Sequence, residues 1–469
     1  MDRHDARGVL ALGAGAALLL CFDAGGRVLA SNDEARFAVL GRDVLRHGTW
    51  LLPWLGDTPY LNKPPLVAWL IALVSWPAGD VTQRTAVWPS LLAGLGVVLL
   101  TWWIGRRLWN QPVGLTAGFL VLTMHGVFTH ARLAMPDVVL CLAMTGAMAA
   151  YVGSAFGERP RAMLLCHLCL ALGFLAKGPA ALLGLVIIAV HGLVTGTGSW
   201  RRRLASLRGA GVIALVIGPW WLAAFHSRGA GFVHETVVTD WLEWFRPHVN
   251  VLSLLAPFAQ VFEVTLPWSV LLPFALVAVI RAHDRQPAIA FLLAWLGAVF
   301  AIVALSHQQR MRYYLPLCPA AALLVAVWYH HVRSVRRVLV GWVTVATVVV
   351  ALVAWEVHDD ARHEAGTDLG AVAAVAARDD LPLYTLGVPN LVAAFYFDRS
   401  VVAVDAAALA DGRLAPGYFL IDEHARKSWP AGCAVERVGG GAANGRPFSV
   451  LRLAPPGCTG TKGGTPSAG

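Results

Sequence analysis

Side chains able to do acid–base or ionic chemistry are sparse in this chain of 469 residues, and they fall in a few places. The densest stretch runs from Ser31 to Leu73. Asp33 and Glu34 open a helix-like run there, and Lys63 is followed by Pro64 and Pro65. A carboxylate such as Asp33 can act as general base on an acceptor hydroxyl. The ammonium of Lys63, its backbone direction set by two prolines, suits a phosphate. Both residues also have purely structural readings. Acids favour the first turn of a helix, here capped by Ser31 or Asn32, and a lysine at an interface can snorkel. The helix-start reading accounts fully for Glu34 and leaves Asp33 open.

Other cations stand in similar frames of aromatics and prolines. Arg246 lies in Trp244-Phe245-Arg246-Pro247-His248, and Arg310 and Arg312 lie in the run from His307 through Tyr313 and Tyr314 to Pro316. Three such patches together argue for an anionic ligand such as a phosphate. Asp137 opens an apolar stretch, where a carboxylate is costly unless it is paired or faces a cavity. One structural alternative is an N-terminal acid bridged to Arg132. Lys177, in Ala176-Lys177-Gly178-Pro179, is either an anchor or a ligand contact. The sixteen histidines show no metal-ligand spacing, and only His248 and His307 fall near these polar residues. The expectation is that no cofactor is required, with no support for a divalent metal. Phosphate-binding loops of the Walker or dinucleotide type are absent from the sequence, so an activated substrate would arrive on a lipid carrier.

The elements that must position these residues are apolar. Hydrophobic residues make up 57% of the chain and charged residues 14%, with 19 Trp and 26 Pro. This is the composition of a polytopic membrane protein. The net charge of +9 reflects arginines in short loops rather than nucleic-acid binding. Spans of near-bilayer length are read at 8–25, 85–104, 112–129, 136–153, 162–176, 178–196, 209–225, 266–281, 287–305, 313–330 and 337–355, about eleven to thirteen once runs at 65–76 and 250–264 are weighed. The first, from Val9 to about Phe22 behind Arg3 and Arg7, reads as a helix that stays rather than a cleaved leader. With the N-terminus inside, the pairs and clusters Arg106-Arg107, Arg159 with Arg161, Arg201-Arg202-Arg203, Arg281 with Arg285, and Arg336-Arg337 all fall in inner loops. Asp33, Lys63, Asp137, Lys177, Arg246, His248 and the His307–Tyr314 run then gather at the outer face. Residues 356–458 alternate short β-like runs with an Ala-rich helix near Leu369–Ala377 and read as a small outer α/β domain. A Gly/Thr/Pro/Ser-rich tail follows at 459–469. Cys166 and Cys169 read as buried small hydrophobes, while Cys433 and Cys458 could pair in an oxidising compartment.

Five motifs occur in one order: Asp-Glu-x-Arg-aromatic-Ala at 33–38, Lys-Pro-Pro at 63–65, an Arg/Asp element at 132–137, Ala-Lys-Gly at 176–178 and Tyr-x-Leu-Pro-x-x-Pro at 313–319. In this the chain resembles the GT-C membrane glycosyltransferases of the lipid A aminoarabinose transferase and protein O-mannosyltransferase type, over most of residues 5–355. The resemblance implies an all-α polytopic fold with a catalytic first outer loop at about 26–80, and residence in a bacterial inner membrane. It implies a polyprenyl-phosphate sugar donor and a lipid, glycan or protein acceptor. Asp33 would be the catalytic or acceptor-orienting aspartate and Asp137 the second acidic position. Lys63, Arg246 and Tyr313 would hold the carrier phosphate, with Glu34, Arg132, Lys177, His248, Arg310 and Arg312 in support. Two positions depart from the pattern. Phe37 stands where a tyrosine is common, and Asn62 where a glutamate often precedes Lys-Pro-Pro, which makes a bound metal and a lipid A acceptor less expected. The competing reading is a transporter or flippase for an anionic polyprenyl-linked lipid. Such proteins tend to show internal repeats and ionisable residues at mid-membrane, whereas these charges collect at one face.

Overall fold

The computed structural model describes residues 3–22, 27–157, 161–196, 199–243, 251–281, 286–306, 309–331, 369–377, 379–404, 415–427, 429, 435–443 and 446–455. Helix α1 (Arg3–Cys21) is followed by α2 (Asn32–His47), a two-stranded β1–β2 turn (Trp54–Leu55, Thr58–Pro59) and α3 (Leu66–Ser75). The bundle continues with α4 (Gln83–Leu108), α5 (Gln111–Leu122), α6 (His125–Ala131), α7 (Pro136–Ala155), α8 (Ala162–Lys177) and α9 (Leu183–Thr195). After α10 (Ser199–Leu204) come α11 (Leu207–Arg228) and the single turn α12 (Ala230–Phe232), which runs into a π-helix at Val233–Leu242. Then follow α13 (Val251–Val264), α14 (Leu272–Arg281), α15 (Pro287–Ala304), a 3-10 turn at Met311–Leu317 and α16 (Cys318–His331).

Six helical stretches among the described residues are long and apolar enough to cross a membrane. One of them, Ala162–Thr195, is a hairpin rather than a rod. Gly173 backs onto Ala181 and Gly184 onto Leu170, so the chain reverses at Gly178, matching the two spans expected there. The span expected at 112–129 is instead broken, with α5 and α6 meeting at 64°. At the break the Thr123 hydroxyl donates to the Phe119 carbonyl at 2.8 Å, a bond that competes with the helix ladder. The Trp268 indole donates to that same hydroxyl at 2.9 Å, and the His125 N–H finds the Leu266 carbonyl at 2.8 Å. The freed backbone is thereby satisfied inside the bundle, as a low-dielectric setting requires. The span expected at 337–355 lies outside the described residues, as do Cys433 and Cys458.

Two polar ends are distinct. At one, Arg106 pairs with Asp5 at 3.3 Å and Arg107 donates to the Phe156 carbonyl at 3.1 Å. At the other lie the starts of α2, α4 and α7 and the end of α8. Helix α4 starts in a reciprocal cap, the Thr85 N–H donating to the Thr82 hydroxyl at 3.2 Å and the Thr82 N–H to the Thr85 hydroxyl at 2.9 Å.

The C-terminal region has α17 (Leu369–Ala376), β3 (Leu383–Leu386), α18 (Asn390–Phe397), β4 (Val401–Ala403), β5 (Gly417–Asp422), β6 (Glu436–Ala443) and β7 (Arg446–Leu453). Their order is β4-β3-β5-β7-β6, with β3 parallel to β4 and β5 and the β5–β7–β6 pairs antiparallel. The β3–α18–β4 crossover places α18 against α2. The small α/β unit thus sits at the same end of the bundle as the start of α2.

Candidate active site

Helix α2 opens the way its sequence suggests. Ser31 is extended (φ −118°, ψ 152°) and its hydroxyl accepts the Glu34 N–H at 3.2 Å. Glu34 is buried, paired with Arg27, and accepts the Ala134 N–H at 3.3 Å. Its work is to tie α2 to the loop that precedes α7. Asp33, its neighbour, points to the cations. One carboxylate oxygen accepts from Arg36 at 3.0 Å, and the other accepts from Arg312 at 3.0 Å with Arg310 at 3.8 Å. Burial works to raise the Asp33 carboxyl, but the hydrogen bond and charge of Arg312, then those of Arg36, outweigh it and hold it below the ordinary carboxylate value.

Asp137, at the start of α7, is 1% exposed and pairs with Lys177, whose side chain is 14% exposed. The second Asp137 oxygen is buried without a hydrogen-bond partner. Lys177 also lies 4.5 Å from the ring centre of Tyr313, and Arg312 lies 5.8 Å from the same ring. Arg132 stacks 5.2 Å over Phe128 at the end of α6.

Lys63 pairs with Asp240, on the π-helix. The Thr236 hydroxyl, one π-turn earlier, donates to the Leu61 carbonyl at 3.3 Å. The first loop is therefore tied to a π-helix, an element that often marks functional sites. Gly178 takes φ +72°, ψ −150°, and a Cβ there would meet the Trp241 ring at 3.2 Å. Glycine lets the hairpin tip and the π-helix close on each other.

Between them lies a cavity of about 670 Å³. Its polar part is formed by Lys63, Lys177, Arg312, Tyr313, Asp240 and Glu243. Its other wall, formed by Leu140, Leu182, Leu183, Val186, Ile302 and Pro316 among others, is apolar and belongs to the bundle. Such a cleft fits an amphipathic molecule with an anionic head and a hydrocarbon tail.

The structure therefore brings Asp33, Lys63, Asp137, Lys177, Arg310, Arg312 and Tyr313 to one end of the bundle. Glu34 and Arg132 lie beside them, and Asp137 sits behind Lys177 rather than on the cavity wall. Arg246, His248 and His307 are outside the described residues. Among the described residues no group of three or more His, Cys, Asp or Glu side chains is arranged to hold a metal ion. Two participants escape sequence reading. Asp240 lies among other polar residues, between Glu235 and Glu243, and nothing local singles it out. Tyr60 stacks near Arg36 at 5.9 Å, and burial foremost, with the Asp240 and Asp33 charges, pushes its phenol up to about 12. Phe37, where a tyrosine was expected, is part of the core.

A family model described as dolichyl-phosphate-mannose-protein mannosyltransferase matches residues 62–222. The chain is 29% identical over 333 residues to the undecaprenyl phosphate-alpha-4-amino-4-deoxy-L-arabinose arabinosyl transferase of Pectobacterium atrosepticum, covering 68% of this chain and 59% of that one. It is 26% identical over 377 residues to the protein of the same name from Yersinia enterocolitica, covering 74% and 67%. The chain spans 59%, 57% and 55% of the length of three of these curated relatives. Among solved structures, ArnT from Cupriavidus metallidurans bound to undecaprenyl phosphate superposes with a TM-score of 0.78 at 19% identity, over 96% of this chain and 99% of that one. The Archaeoglobus fulgidus oligosaccharyltransferase follows at 0.56 and 14%, over 88% and 68%. With a shared trace along nearly its whole length and a family match across its central helices, this chain is a multi-pass membrane protein with the fold of that ArnT structure.

Proposed function

We propose that the protein transfers a sugar from a polyprenyl-phosphate carrier to an acceptor on a lipid, glycan or protein, at the outer face of the bacterial inner membrane. The observation that carries this reading is the two-faced cavity, polar where Lys63, Lys177 and Arg312 meet Asp240 and Glu243 and apolar down the bundle wall. The carrier phosphate sits among those cations beside Tyr313, and the polyprenyl chain follows the apolar wall. As the glycosidic bond breaks, the phosphate leaves as an anion. Cations placed on it lower the transition state more than the ground state. Side-chain cations supply this charge, so the reading requires no metal, in keeping with Asn62 in place of an acid. Arg246 joins the phosphate contacts on the strength of the family resemblance.

Asp33, ionised and aimed by two arginines, orients the acceptor and receives its hydrogen bond. Its lowered basicity suits an orienting role better than that of a strong base. Asp137 acts through Lys177, keeping the ammonium charged and directed at the cavity. Orientation follows the arginine pattern, with Arg106 and Arg107 inside and the Asp33 end outside. The relatives named above are transferases, which favours this reading over a flippase. The test is sugar transfer from a radiolabelled polyprenyl-phosphate sugar by membranes carrying wild type, Asp33→Asn or Lys63→Ala. Wild type should release label from the carrier, and each variant should fall about a hundredfold or more, through lost acceptor orientation in one and lost stabilisation of the leaving phosphate in the other. Movement of intact lipid between leaflets without cleavage would establish the flippase instead.

A further inference from the structure

We infer that the C-terminal α/β unit is a positioning element of the active site, holding the start of α2 through Tyr396 and Leu391 and its later turns through Asp398. The inference rests on the role proposed above for Asp33.

Asp33 is the second residue of α2, so its place depends on how the chain enters that helix. Ser31 caps the helix from within, but a local cap does not fix where the helix lies relative to the bundle. The Glu34 bond to the Ala134 N–H supplies one such tie, and two contacts from α18 supply others. The Asn32 side-chain oxygen accepts the Leu391 N–H at 2.9 Å. The Leu29 N–H donates to the Tyr396 phenol oxygen at 2.8 Å, and that phenol donates to the Gln83 side-chain oxygen at 2.9 Å. One phenol thus joins the segment entering α2 to the first residue of α4.

Further along, Arg42 donates to the Phe395 carbonyl at 2.7 Å and to the Val81 carbonyl at 3.0 Å, and lies 4.4 Å over the Phe395 ring. Arg42 and Arg46 both reach Asp398, at 3.2 and 2.8 Å, and Arg46 reaches Asp80 at 3.1 Å. Asp398 adopts the left-handed conformation at φ 51° that turns its carboxylate toward both arginines.

The groups facing the Asp33 carboxylate come from two bodies. Arg36 moves with α2, whereas Arg310 and Arg312 belong to the segment leading into α16. Only the placement of α2 keeps Asp33 and Arg312 at 3.0 Å. A shift of roughly 1 Å would lengthen that bond past useful range, and misplacement of that size can cost about a hundredfold in rate.

The experiment uses the purified full-length chain in lipid, with Tyr396→Phe, Asp398→Asn and Asp33→Asn beside wild type. Transfer is measured against donor concentration and pH, and the thermal midpoint is recorded. Tyr396→Phe keeps the ring and removes one hydroxyl; Asp398 is half exposed, and exposed ion pairs add little stability. Asp398→Asn should therefore fold with a near wild-type midpoint, whereas Tyr396→Phe, which leaves the buried Leu29 N–H without this acceptor, should fold with a modestly lowered one. Tyr396→Phe should lower kcat about tenfold with donor KM within about twofold, since the phosphate contacts are untouched. Its acid limb should move up in pH as Asp33 loosens from Arg312, and Asp398→Asn should show the same pattern more weakly.

Wild-type kcat and pH profile in both variants, with Asp33→Asn inactive, would overturn the inference. So would a rate loss that tracks a fall in thermal midpoint with an unmoved acid limb, the mark of a merely structural contact. Full transfer by Asp33→Asn would remove the proposed site itself, and the inference with it.

Discussion

Asp33 is a carboxylate with too many cations around it to be a strong base. Burial raises its pKa, Arg312 and Arg36 lower it, and the net direction is down. A group whose folded pKa is depressed is ionised throughout the neutral range, and its charge is lost only as pH falls through that lowered value. Its contribution to stability is likewise present above the ordinary carboxyl value and lost in acid. Transfer by wild type should therefore stay flat from about pH 7 to about pH 5 as far as Asp33 is concerned. A limb near neutrality that vanishes in Asp33→Asn would contradict this. Lys177 and Asp137 pose the complementary case. Removing one partner of a buried pair strands the other, at a cost of about 3–5 kcal/mol, whereas replacing both removes the stranded charge. Lys177→Met should lower the thermal midpoint sharply, and adding Asp137→Asn should recover most of it. Transfer should stay low in both, because the ammonium beside Tyr313 is gone.

At the scale of elements, the site depends on two irregular pieces meeting, the turn at Gly178 and the π-helix at Val233–Leu242. Gly178 occupies a backbone region that costs other residues about 1–3 kcal/mol, and a Cβ would also push on Trp241. Gly178→Ala should lower both thermal stability and donor affinity, since it displaces Lys177 and Asp240 on opposite sides of one cavity; a stable variant with unchanged donor KM would show that the two elements are not coupled. These pieces also explain what was legible in advance. Ser31 capping, the paired spans on either side of Lys177, and the gathering of Asp33, Lys63, Asp137 and Lys177 at one end follow from local pattern and span parity. The partner of Lys63 does not, because Asp240 lies 177 residues away and no local rule links them. The break between α5 and α6 was equally hidden. Thr123 and His125 are unremarkable in a hydrophobic run until Trp268 and Leu266 arrive to satisfy the groups the bend exposes. The docking of α18 on α2 is of the same kind, an arrangement set by tertiary contacts of residues that look ordinary in sequence.

At the scale of the whole molecule, charge is divided between two ends, and that division predicts which way the protein faces. Arg106 and Arg107 close α4 at one end, with Asp5 of α1 beside them. The cations at the other end, Lys63, Lys177 and Arg312, are each held by a carboxylate within the site rather than lying in a short loop between spans. The bias that keeps Lys and Arg of short loops on the cytoplasmic side would place the Arg106 end inside, the orientation proposed above. The C-terminal unit, being docked on α2, would then lie outside with the site. Single cysteines introduced into a cysteine-free background provide the check. One at Asp57, exposed in the first loop, and one at Arg399, just beyond α18, should react with a membrane-impermeant maleimide on intact spheroplasts. One at Gly157, after α7, should react only once the membrane is opened. The reverse pattern would put the cavity on the side where nucleotide sugars are abundant. The main reason for invoking a lipid-borne donor would then disappear, although the apolar wall of the cavity would still call for a lipid. Labelling at Asp57 but not at Arg399 would be harder to accommodate, because it would separate α18 from the helix it holds.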